Sequence, residues 1–178
     1  NYNISFLGGN KTAGSKWNDN FPFIYLESDP FIENITVDKI SNNSEIALLC
    51  LPNGISSTLT RDLLDKGLKV IDLSADYRYK SLVEWKRIYS REASLYQRND
   101  DDLCKEAIYG LPELNKEKIS NARLIACPGC YPTSAIIPLI PFLSQGIIDS
   151  EGIVIDSKSG TSGGGREPNQ KLLLSECG

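Results

Sequence analysis

Two cysteines three positions apart stand in the stretch ACPGCYPT, residues 126–133, and three chemistries claim such a pair: a redox couple, half a metal site, or one nucleophile beside a bystander. A structural zinc site needs a second close pair of thiolates, and Cys50, Cys104 and Cys177 have no cysteine neighbour within motif distance. The chain also has 0 histidines, so the commonest metal ligand and the usual general base are both missing, and no metal is expected. A thioredoxin-like couple belongs near the first strand of a small fold, whereas this motif comes late. Burial of both thiols as small apolar residues is a further reading, since free cysteine is often buried. Against it for Cys130 stands its position: an apolar run leads in, Pro128-Gly129 turns the chain, and Pro132 suits the first turn of a helix continuing as TSAIIPLIPFL. A thiol there lies beside unpaired amide N–H groups that stabilise its thiolate and activate it as a nucleophile. Cys127, still on the strand, lacks that setting.

The elements that must hold this thiol follow from the apolar pattern. Residues 3–9 (NISFLGG) read as a buried strand, and residues 44–54 (SEIALLCLPNG) as a second, closed by a Pro-Asn-Gly turn. Leucines at 59, 63, 64 and 68 mark one helix face, with Ser56 or Ser57 as N-cap and Gly67 at the C-terminal end. KVIDLSAD is a third strand, ARLIACPGC supplies a fourth that runs into the cysteines, and GIVIDSK (residues 152–158) a fifth that runs into a glycine-rich loop. Strand, helix, strand with short connections is a crossover unit. Such units build a parallel sheet whose ligands bind at the carboxyl ends of the strands, so the fold class expected is a doubly wound, Rossmann-type α/β domain. Residues 80–106, charged and aromatic, read as surface helix and loop with a structural role.

Composition narrows the function. The 178 residues carry 19 basic and 23 acidic side chains, a net charge of −4, with Lys and Arg scattered, so no nucleic-acid partner is expected. The longest apolar run, AIIPLIPFL, is too short for a bilayer and is broken by prolines; no membrane partner and no signal peptide are expected. Five cysteines, an odd number, do not make a secreted disulfide framework, which favours a reducing compartment.

In GGNKTAG, Gly8 and Gly9 open what a dinucleotide-binding turn would need and Gly14 stands where its outer glycine would, but Lys11 occupies a position where glycine would let the backbone approach a pyrophosphate. A plain strand-ending turn would look the same. The following KTAGSKWNDNFPF has no apolar stripe for the expected helix. A break in the printed chain after about residue 10 is the expectation this raises.

CPGCYPT, together with DLSADYR (residues 72–78), YGLPEL (109–114) and DSKSGTSGGGR (156–166), resembles the N-acetyl-gamma-glutamyl-phosphate reductases, relatives of aspartate-semialdehyde dehydrogenase. Four motifs in the family's order cover roughly residues 44–178. The family usually carries asparagine where Cys127 stands, so the resemblance implies one catalytic cysteine, Cys130, beside a local substitution. It implies a cytoplasmic enzyme that reduces an acyl phosphate with NADP(H): thiolate attack expels inorganic phosphate, and hydride reduces the resulting thioester to an aldehyde. It implies substrate contacts at Arg78, Arg166, Tyr109 and Glu113, and cofactor contacts at Gly8, Gly9, Gly14, Pro52, Asn53, Gly54, Ser159 and Gly160. It further implies a nucleotide domain over residues 1–128, the start of a catalytic and dimerisation domain over 129–178, and a homo-oligomer, dimer or tetramer. The family's catalytic histidine follows the glycine-rich loop, and this sequence ends without one, so a missing C-terminal portion is expected. Sister reductases of aminoadipyl or aspartyl phosphate, and a binding module of the same fold without turnover, are the alternatives.

Overall fold

The computed structural model describes residues 3–164, which fall into two compact units, Asn1–Cys127 and Pro128–Gly178. The first begins with α1 (Trp17–Asn20) and α2 (Val37–Asn43), then β1 (Ile46–Leu49), α3 (Ser57–Asp65) and β2 (Lys69–Asp72). It continues with α4 (Leu82–Ile88), α5 (Ser90–Leu95), α6 (Asp101–Glu106), β3 (Ile108–Tyr109), α7 (Pro112–Asn121) and β4 (Leu124–Ala126). The second holds α8 (Cys130–Ser144) and a 3-10 turn, Thr161–Gly164.

The four strands form one parallel sheet in the order β1-β2-β4-β3. Leu49, Asp72 and Ala126 lie abreast at its carboxyl edge. On one face Ala47, Leu49, Val70, Leu124 and Ala126 alternate inward, as a period of two requires, and meet Leu63, Leu64 and Leu68. Full burial of one such leucine is worth about 1.5–3 kcal/mol, so α3 is held to the sheet chiefly by this stripe. Gly67, at φ +86, ends the helix as the left-handed residue expected there.

Three expectations fail. Residues 3–9 form no strand: their pairing is one isolated bridge, Gly8 to Glu33, and Ile4 is exposed. Instead this segment folds against residues 30–33, with Gly9 and Gly14 donating to the carbonyls of Glu33 and Ile32 at 2.9 and 2.8 Å. Residues 152–158 are likewise not a strand; no neighbouring strand among the described residues pairs with them, and Val154 stays 92% exposed. Residues 80–106 are not merely surface. Leu82, Trp85, Leu103 and Cys104 are buried, and so is Arg98, whose charge is met by carboxylates within the fold.

Candidate active site

On the first unit, chemistry-bearing residues gather where β1, β2 and β4 end. Beyond β1 the chain turns through Pro52, Asn53 and Gly54, closed by a bond from the Ile55 amide to the Pro52 carbonyl at 3.0 Å. Gly54 has φ +86, and a Cβ on it would collide with the Tyr96 ring, so only glycine fits. Beyond β2 the segment 74–78 runs beside this turn. The Ala75 amide donates to Asn53 Oδ1 at 2.9 Å, and the Asp76 carboxylate accepts the amides of Gly54 and Ser57 at 2.6 and 3.0 Å. Pro52 is exposed and Asn53 half-buried, whereas Gly54 is buried with its amide committed to Asp76. Gly54 therefore shapes the turn and has no amide left for a ligand.

Arg78 reaches across the same edge. Its Nε donates to the Cys127 carbonyl at 2.8 Å and its Nη2 to the Leu73 carbonyl at 3.0 Å, which ties the ends of β2 and β4 together. Nη1 has no partner among the described residues, so the guanidinium keeps donors for an anion while anchored by its other side. Tyr109, at the end of β3, has its phenol pushed up by burial, against the opposing influence of the Arg78 charge. Burial, followed by the nearby Asp72, likewise pushes up the thiol of Cys127. That environment disfavours its thiolate. Glu113 is exposed in the first turn of α7 and takes part in none of these bonds.

The second unit presents the candidate nucleophile. Gly129 is the N-cap of α8, extended at φ −75, ψ 165, and Cys130 is the first helical residue, its side chain exposed. The Gly129 carbonyl accepts from the Thr133 amide at 3.1 Å and from its hydroxyl at 2.8 Å, so the first turn is well closed. Pro132 lies in that turn, where its missing N–H costs nothing. Cys130 Sγ is 3.9 Å from Ser159 Oγ, and Ser134 Oγ is 2.5 Å from Ser157 Oγ, so the segment carrying Ser159 is tied to the helix start. Gly160 follows, its carbonyl accepting from Gly163 at 3.0 Å. Arg166 lies outside the described residues.

Gly8, Gly9 and Gly14 are not brought to a strand-to-helix turn. The helix after them, α1, spans 4 residues and buries none of them. Gly8 and Gly9 instead sit against Phe6, Ile35, Thr12 and Ile32, where a side chain would not fit. The residue that sequence reasoning missed is Asp76. It lies inside the quoted DLSADYR, and an acid so close to a strand end was the available signal, but its partners are 19 and 22 residues upstream.

The fold is that of an open parallel α/β nucleotide-binding domain, with a thiol at a helix start beginning the unit that follows. The chain belongs to the semialdehyde dehydrogenase family: its NAD-binding domain profile matches residues 1–122, and the dimerisation domain profile residues 130–178. Among curated relatives, the N-acetyl-gamma-glutamyl-phosphate reductase of Prochlorococcus marinus strain MIT 9215 is 82% identical over 178 residues, 100% of this chain and 51% of its own length. That of strain MIT 9211 is 53% identical over 176 residues, covering 99% of this chain and 49% of its own. The chain thus spans about half the length of these relatives. Aspartate semialdehyde dehydrogenase II of Vibrio cholerae, solved in complex with ASA, shares the fold at a TM-score of 0.50 and 19% identity, over 78% of this chain and 37% of that one. Among the described residues no helix is long and apolar enough to cross a membrane.

Proposed function

We propose that the protein of which this chain is part is a cytoplasmic, NADP(H)-dependent reductase of N-acetyl-L-glutamyl 5-phosphate in arginine biosynthesis, working as a homo-oligomer. The names of the relatives support the substrate, and the dimerisation-domain match supports the oligomer. On this reading residues 1–128 serve the nucleotide, and residues from 129 onward begin the catalytic domain.

The observation that carries the proposal is Cys130 at the first position of a 15-residue helix with its sulfur exposed. The amides of the first turn, unpaired within the helix, lie beside the sulfur where an acyl phosphate would be attacked. Attack forms a carbon–sulfur bond to the acyl group and breaks its bond to the phosphate oxygen, releasing inorganic phosphate. When bound, the reduced nicotinamide supplies the hydride that takes the thioester to the aldehyde and returns the sulfur as thiolate. Arg78, anchored through two of its donors, offers the remainder to an oxyanion of the substrate, with Tyr109 nearby; Arg166 and Glu113 complete the proposed substrate contacts. The residues fit a nicotinamide dinucleotide at the carboxyl edge. The turn beyond β1 is fixed by hydrogen bonds, with Pro52 open to solvent and Asn53 Nδ2 without a partner among the described residues. Ser159 and Gly160 are proposed to serve the nicotinamide side.

Phosphate-dependent reduction of NADP by N-acetylglutamate semialdehyde, assayed on the full-length protein, tests this. Cys130→Ser is expected to lower kcat at least 1,000-fold with folding intact, on the order of what a lost nucleophile costs. Cys127→Asn is expected to keep most activity. Loss of activity in the Cys127 variant alone would reverse the assignment of nucleophile and bystander.

A further inference from the structure

We propose that Asp76 is a positioning residue for nucleotide binding: its buried carboxylate, backed by Arg98, sets the backbone of the turn on which Pro52 and Asn53 stand. This rests on the reading that the turn lines the cofactor crevice.

The geometry is specific to a carboxylate. Asp76 is fully buried, and its two oxygens take the amides of Gly54 and Ser57 separately, at 2.6 and 3.0 Å. Gly54 closes the turn and Ser57 begins α3, so one side chain fixes both the bend and the helix that leaves it. The Asn53 side chain returns a third bond in the opposite sense, accepting from the Ala75 amide at 2.9 Å. Ser56, at the N-cap position, makes no side-chain cap bond, so the capping comes from Asp76 on another strand's loop.

Holding an ion there requires compensation. Burial is the largest influence and pushes the Asp76 carboxyl up from the ordinary value, against the Gly54 amide, Arg98 and the Ser57 amide. The Arg98 guanidinium donates to the Asp76 carbonyl at 2.7 Å and lies 4.0 Å from its carboxylate. A two-pronged contact to Asp100, at 3.0 and 2.8 Å, fixes it from the other side. The rings of Tyr77 and Trp85 flank it at 5.0 and 4.5 Å. Buried ionic groups are often replaceable by apolar ones without loss of stability. No apolar group, however, accepts hydrogen bonds from two turn amides. The two acceptor oxygens are therefore retained for what they align, and what they align is the crevice turn.

The test uses the full-length protein and NADPH. In Asp76→Asn one oxygen becomes an amide donor facing a backbone donor, so one of the two turn bonds is lost. Asp76→Glu keeps both acceptors and the charge but carries them one methylene further out, and it serves if the asparagine variant does not fold. For either folded variant, the NADPH dissociation constant by fluorescence titration is expected to rise about 10-fold or more. Its KM for the semialdehyde and its kcat at saturating nucleotide are expected to stay within about twofold of wild type. Wild-type NADPH affinity in both variants overturns the proposal, and so does an equal weakening toward both substrates, which would mark a general loss of stability. Failure of the wild type itself to bind NADPH overturns the crevice reading along with it, and is seen without any variant.

Discussion

Asp72 and Asp76 lie four positions apart, both fully buried, and burial pushes both carboxyls up from the ordinary value, but their partners differ. Asp76 has Arg98 beside it. Asp72 has hydroxyl and amide donors only, from Ser74 at 2.7 and 3.0 Å, and burial dominates in pushing its carboxyl up from the ordinary carboxylate value. A raised carboxyl binds more protons folded than unfolded, so its contribution to stability is full below about pH 4 and is lost as pH rises through the folded value. Asp72→Asn removes that loss. The melting temperature of the variant minus that of wild type is therefore expected to become more positive from pH 3.5 to pH 7. Asp101 and Asp102, whose carboxyls are held low by hydrogen bonds to the Leu82 amide and to Arg61 respectively, have the opposite slope, but they are common to both proteins and cancel in the difference. A flat or falling difference would contradict the role assigned to burial. The place of Cys130 at a helix start was legible at this scale because Gly129 and Pro132 punctuate the chain beside it. Asp76 and Arg98 were not, because their meaning lies in partners distant in sequence.

β1, α3 and β2 were readable because each has an apolar period that matches its own geometry and a turn residue at its end. Residues 3–9 carry a similar apolar run and form no strand, for a run becomes a strand only when a neighbour supplies the ladder. The short helices α4, α5 and α6 hid their burial, since elements of 6 or 7 residues that bury two residues each, or none, leave little periodic signal. Two glycines at the same φ of +86 separate the causes of a turn's intolerance. Around Gly67 nothing lies within 4 Å of a Cβ, so Gly67→Ala meets only left-handed strain, about 1–2 kcal/mol. Gly54→Ala meets the same strain and the Tyr96 ring, about 1–3 kcal/mol more by the usual cost of overpacking. Denaturant titration should rank Gly54→Ala well below Gly67→Ala, and adding Tyr96→Ser to the former should recover part of the gap. Equal losses in the two single variants would remove the argument that Tyr96 seals the turn.

Across the whole molecule, the two units differ in what they make of their apolar residues. The first closes a core around one face of a parallel sheet, while in the second α8 buries no residue among those described. The position of Trp85 within that core has an optical consequence. The chain's 2 tryptophans, Trp17 and Trp85, both belong to the first unit. Trp17 is half-exposed, stacked on Phe21 at 4.3 Å with its indole N–H on the Ile24 carbonyl, whereas Trp85 is fully enclosed with a guanidinium 4.5 Å from its ring. An indole shielded from water emits to the blue of one that water can relax around, so these residues contribute a short-wavelength and a long-wavelength band. Trp85→Phe is expected to remove the blue band and leave the red one. In the intact protein, that blue band is an internal gauge of whether the enclosure that Trp85 shares with the Arg98 guanidinium is still closed to water.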